Sequence, residues 1–194
     1  MQLQKAFFPV ILIAAAQLSA ATITYTTNLT GPNESPPNAS PGIGFAVVTI
    51  DTVANTLLVN VSFSGLLGTT TASHIHCCTA LPLAGTAGVA TTTPTFAGFP
   101  LGVTSGTYTP LAFDMTSAST WNPAFVTAEG SIANAEAALI AGLAAGDAYL
   151  NIHSTVVPGG EIRGFLVPVP EPATWGLAGL ALAGLLGLRR RISA

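Results

Sequence analysis

The three histidines of the chain fall in two short segments, His74-Ile75-His76 and Asn151-Ile152-His153. Both alternate polar with apolar residues, and so does Glu161-Ile162-Arg163. Successive side chains of a strand point to opposite faces, so His74 and His76 share one face and Ile75 takes the other. By the same rule Asn151 and His153 lie opposite Leu150 and Ile152, and Glu161 and Arg163 lie opposite Ile162 and Leu166. If Ile75, Ile152 and Ile162 turn to a common core, then His74, His76, Asn151, His153, Glu161 and Arg163 form one polar set.

Three kinds of chemistry suit this set. His-x-His on one strand face is a familiar arrangement for zinc or copper, and His153 or Glu161 would complete it. A hydrogen-bonded network that fixes strand register uses the same groups, with Glu161 pairing with Arg163 or a histidine. A catalytic role, such as metal-dependent redox chemistry, needs more ligands than three histidines provide unless Glu161 or a cysteine contributes. There is no serine elbow and no phosphate loop, so no catalytic residue is assigned. The chain's two thiols, Cys77 and Cys78, are adjacent and follow His76 directly. A bond between them that braces a loop, soft ligation of a metal, and cross-linking between chains all stand open. Trp121 and the Phe96/Phe99 region are expected to pack beneath a loop in preference to stacking on sugar rings.

These residues need strands to carry them, and the pattern supplies strands. In the segment 57–63 the odd positions are apolar while Asn60 and Ser62 point the other way, which is the period of a half-buried strand. Residues 22–29, 44–50, 70–76, 104–109, 148–153 and 161–167 read the same way, and Asp51 to Asn55 reads as a hairpin loop. One Ala-rich helix is expected over 132–144, with Ser131 as its cap and Gly146 just past its end. The Pro-rich stretch 32–41 is a loop. Residues 79–130, rich in Thr, Gly and Pro, read as a long insertion with few strands. The expected fold is all-β, a Greek-key or immunoglobulin-like β-sandwich or barrel with one short helix.

Composition bounds the function. Of 194 residues, 5 are Lys or Arg and 8 are Asp or Glu, about 7% charged, and the net charge is −3. Average chains carry roughly 25% charged residues. That balance excludes nucleic-acid binding through a basic patch, a long solvated coiled coil and a charge-rich disordered tail. Mean hydropathy is +0.61, and much of it sits at the two ends. Residues 1–21 read as a secretory signal peptide: Lys5, an apolar run over 6–16 too short to span a bilayer, then small residues at Ser19 and Ala21. At the other end Val169-Pro170-Glu171-Pro172-Ala173 precedes an uncharged stretch to Leu188, closed by Arg189, Arg190 and Arg191. As a helix, residues 173–188 reach about 24 Å, short for a hydrocarbon core of ~30 Å. Basic residues after an apolar stretch stay in the cytoplasm, and a marginal anchor behind a small motif suits a signal that is recognised and then cut. The body between, residues 22–168, sets Arg163 against seven carboxylates.

Two resemblances follow. The tail, with Pro170-Glu171-Pro172, a Gly/Ala/Leu helix from Trp175 to Leu188 and Arg189 to Arg191, resembles the PEP-CTERM sorting signal of bacteria. That likeness implies processing by an exosortase, passage through the secretion machinery with transient anchoring in the inner membrane, and export in association with extracellular polysaccharide. Within the body, Asn28-Leu29-Thr30-Gly31, Glu34, Pro36-Pro37, Gly65-Leu66, His74-Ile75-His76, Asn151-Ile152-His153-Ser154 and Pro158-Gly159-Gly160-Glu161-Ile162-Arg163-Gly164 resemble the chordin-type CHRD domain. The likeness spans nearly all of residues 22–167. It departs after His76, where Cys77-Cys78 and the Thr-rich segment intervene in place of a common glycine. It implies a secreted all-β domain without a settled biochemical activity. The expected protein is therefore a non-enzymatic module at the cell surface or in the exopolysaccharide matrix, with polysaccharide or surface proteins as partners. The competing expectation is a zinc or copper protein, or a redox enzyme, built on His74, His76, His153 and Glu161.

Overall fold

Three nine-residue strands with strict alternation set the frame: β1 (Thr22–Thr30), β2 (Ile43–Asp51) and β3 (Thr56–Ser64). They pair antiparallel along their whole lengths, in rows such as Asn28–Phe45–Ser62. Leu29, Val48, Ile50, Leu57 and Val59 turn to the core and are fully buried, while the other face shows Thr, Asn, Ser and Phe45 to solvent. The β2–β3 hairpin closes where the Asp51 carboxylate accepts from the N–H groups of Val53 and Ala54, at 2.9 and 2.8 Å. The computed structural model describes residues 22–110 and 112–170. The expected signal peptide at 1–21 and the sorting segment from Glu171 onward lie outside the described residues. Among the described residues no helix is long and apolar enough to cross a membrane.

Beyond this meander come β4 (Thr70–His76), β5 (Gly106–Tyr108), β6 (Phe113–Asp114), β7 (Tyr149–Ser154), β8 (Ile162–Phe165) and β9 (Val167–Pro168). They form one sheet in the order β4-β7-β8-β1-β2-β3-β5, with β6 also on β3 and β9 also on β1. The expected sandwich or barrel is corrected to a single antiparallel sheet curled into a half-barrel. Among the described residues no second sheet covers its apolar face. Phe96, Met115 and Trp121 from the long segment after β4, and Leu139 and Leu143 from a helix, share one core with the strands. Trp121 and Phe96 are thus packed under the loop as expected, with the indole N–H donating to Met115 O at 2.8 Å.

Among the described residues there are two α-helices where the body was expected to carry one. The expected one, α2 (Ile132–Ala145), is capped by Ser131 and ends at Gly146 in the left-handed region. The added one, α1 (Pro123–Glu129), begins where Asn122 accepts from Ala124 N–H, takes Pro123 at its first position, and stops at Gly130. The 79–130 segment therefore carries β5, β6 and α1 as well as loop. Cys77 and Cys78 are bonded to each other. A Cβ at Gly142 would collide with both sulfurs, so helix α2 lies directly against the bond through its glycine.

Candidate functional site

Strands β4, β7 and β8 are neighbours, and their register assembles the polar set. Ala72 stands opposite His153, His74 opposite Asn151, and His76 opposite Tyr149, while Asn151 stands opposite Arg163 on its other side. Ile75, Ile152 and Ile162 are fully buried in the core, so the parity read from the sequence holds for His74, His76, Asn151, His153 and Arg163. With only a methyl group at Ala72 across from it, the His153 ring reaches His74. Ring centroids of His74 and His153, and of His74 and His76, are both 4.7 Å apart.

Each ring is held by its Nδ1 atom. His74 Nδ1 meets Pro94 O at 3.3 Å, His76 Nδ1 meets Ala87 O at 2.8 Å, and His153 Nδ1 meets Pro158 O at 2.8 Å. A carbonyl oxygen can only accept, so all three Nδ1 atoms carry the proton. In the neutral rings the three Nε2 atoms are then acceptors, and those of His74 and His153 converge. One ligand atom from each of His74, His76 and His153 fits within 4.8 Å of the others. The His74 and His153 Nε2 atoms approach to 2.9 Å, and His76 Nε2 is buried without a hydrogen-bond partner. Burial, and the charge each ring would impose on the others, push His74 down to about 3. His76 is pushed to about 4, by burial foremost and against the Ala87 hydrogen bond, and His153 is also lowered by burial. The rings are therefore neutral near pH 7, the state a metal requires.

Glu161 is not brought to the histidines. Its fully buried carboxylate accepts from Ser40 Oγ at 2.6 Å, Leu67 N–H at 2.5 Å and Gly68 N–H at 3.2 Å. Burial alone would raise its pKa, but these donors and the Ser154 hydroxyl hold it below the usual carboxylate range. Its place as a fourth ligand is corrected to that of a latch tying the β7–β8 turn to the loops at 38–42 and 65–69. The reason is positional: Glu161 precedes β8, so strand parity does not govern it. The two cysteines, bonded to each other, are not in the histidine group either.

Arg163 is buried and takes the other side of the strip. It donates from Nε to Asn33 O at 2.5 Å and from Nη1 to Gly85 O at 3.1 Å, with Nε 3.7 Å from the Glu34 carboxylate. Its guanidinium lies 4.6 Å from the Tyr149 ring centre, and that ring stacks on His76 at 4.6 Å. The sequence reading missed Tyr149, the pairing of Glu34 with Arg163, and the three carbonyl partners. Two of those carbonyls, Ala87 and Pro94, come from the Thr-rich insertion, where nothing local marks them. The third is part of Pro158-Gly159-Gly160, a turn whose residue types were visible.

The PEP-CTERM protein-sorting motif matches residues 168–191, and a family model described as the CHRD domain matches residues 25–166. No curated protein and no solved structure matches the chain. The sorting motif implies recognition by an exosortase and export to the cell surface.

Proposed function

The chain belongs to the CHRD domain family and ends in an exosortase sorting motif, and on that premise we propose that it is an exported surface protein whose CHRD domain binds zinc or copper on His74, His76 and His153. One observation carries the reading: all three rings spend their Nδ1 proton on backbone carbonyls, the Nε2 atoms of His74 and His153 face each other, and one ligand atom from each ring lies within 4.8 Å of the others. Metal-ligating histidines are held in this way, with the second nitrogen donating to a carbonyl or carboxylate. A register-fixing network would pair donors with acceptors. Here acceptor meets acceptor between His74 and His153, and His76 Nε2 meets nothing. Zinc–nitrogen bonds of about 2.0–2.1 Å in tetrahedral geometry set ligand atoms roughly 3.3 Å apart, a spacing these rings bracket. Imidazole suits zinc and copper alike.

The domain is read as a binding module delivered to the surface, with the metal as its ligand. Elemental analysis of the full chain purified without chelator tests this. About one equivalent of zinc or copper is expected, lost in His153→Ala. Less than about a tenth of an equivalent, with no thermal shift on adding either ion, would discard it.

A further inference from the structure

The charge around the three histidines decides what else the site accepts. The donors are three neutral imidazoles, and the groups that orient them are three neutral carbonyls. No fourth His, Cys, Asp or Glu joins the group among the described residues. Two carboxylates of the neighbouring loops are committed elsewhere, Glu161 to Ser40, Leu67 and Gly68, and Glu34 beside Arg163. The Tyr149 hydroxyl is engaged with the backbone of Ala87. A positive charge acts on the rings, since Arg163 lies on the same Tyr149 ring that stacks on His76. A divalent ion held here keeps its whole charge and has three protein ligands, one short of a tetrahedron. His74 is buried, while His76 and His153 are half-buried, which places the group at the margin of the core.

We infer that the metal's remaining position is an exchangeable site for one small anion, an inorganic monoanion or a carboxylate, selected over neutral donors by the uncompensated charge of the centre. This rests on the metal reading above. Water or hydroxide would hold the position until such an anion displaced it.

The test uses the full chain loaded with one equivalent of Cu(II) near neutral pH, with elemental analysis before any addition. Azide is the probe, at constant ionic strength, followed by visible absorption. A new azide-to-copper charge-transfer band that saturates is expected, and acetate should reverse it. Neutral imidazole should need at least about tenfold more than azide to perturb the spectrum, because uncompensated charge near the site acts through a low effective dielectric. A copper-loaded protein whose spectrum ignores a large excess of azide would overturn the inference while leaving the metal reading standing. So would imidazole competing as well as azide. A chain that takes up no copper overturns both, and the first measurement tells the two failures apart.

Discussion

The Nε2 atoms of His74 and His153 stand 2.9 Å apart, and each belongs to a ring whose Nδ1 already donates to a backbone carbonyl. With both Nδ1 atoms protonated this is one lone pair facing another, and a cation between them would resolve it. Burial makes a proton a poor choice, since it lowers the affinity of both rings for one. A metal ion is the cation that the proposed function supplies.

His153→Leu therefore has two separable effects. Without metal, the variant should be as stable as the parent or more stable by up to about 1 kcal/mol, because opposed acceptors are removed from a half-buried position. With metal, the parent gains about 4 kcal/mol at a thousandfold excess over Kd, which for a chain of this size is roughly 8–16 °C in Tm. The variant should gain nothing. Thermal scans with and without zinc check both halves, and an equal zinc shift in the variant would remove His153 from the ligand set.

Glu161→Gln separates the latch from the metal site. The amide offers donors where Leu67 and Gly68 N–H groups need an acceptor, and it gives up the charge that Ser40 donates to. A loss of about 2–4 kcal/mol in urea denaturation is expected, the scale for charge-assisted bonds in a buried place. Zinc affinity, measured by competition with a coloured chelator, should stay within about twofold, since no bond of the carboxylate reaches the rings. A large fall in affinity with intact folding would return Glu161 to the metal.

Legibility in the sequence followed the range of the interaction. β1, β2, β3 and β4 were readable to within a residue or two, because alternation is written into the strand itself. Ser131 and Gly146 marked α2 by the same local logic. The shared face of His74, His76 and His153 followed from parity alone. Parity said nothing of whether the curled sheet would meet a second sheet or be covered by Phe96, Trp121 and α2, because that is decided by residues far apart in the chain. It also failed at Glu161, one position outside its strand. α1 had both of its stops in plain view, Asn122-Pro123 and Gly130, but the Thr/Gly/Pro-rich composition around it read as loop. Glu34 sat in a Pro-rich loop with no pattern pointing to Arg163.

Gly142→Ala should destabilise the protein although alanine is the better helix former. In an exposed helix interior the change would add up to ~1 kcal/mol of stability. Here the new methyl meets the sulfurs of both Cys77 and Cys78, and overpacking of this kind costs about 1–3 kcal/mol. The neighbour responsible is named by a double-mutant cycle. With Cys77 and Cys78 both changed to Ser, the cost of Gly142→Ala should shrink markedly. Additive costs would mean that something other than the disulfide excludes the methyl group.

Glu34 supplies a pH dependence with a definite sign. Its Oε1 atom and Asn151 Oδ1 are both buried without a partner, and both crowd the space above Gly160, whose φ of 130° only glycine adopts readily. A proton on Glu34 gives the pair a donor. Burial raises the carboxyl from 4.5 to about 7, outweighing the opposing pull of Arg163 and of the Ser35 N–H. The folded chain thus keeps a proton that the unfolded chain releases. Stability from this group is complete below 4.5, falls as pH rises toward 7, and the loss is full above that. Glu34→Gln is neutral at every pH and escapes the loss. The stability of the variant relative to the parent, from urea denaturation, should therefore be more favourable at about pH 8 than at about pH 5. A difference that is flat with pH, or that runs the other way, would mean that Glu34 is ionised in the folded protein throughout and that its bond to Arg163 outweighs its burial.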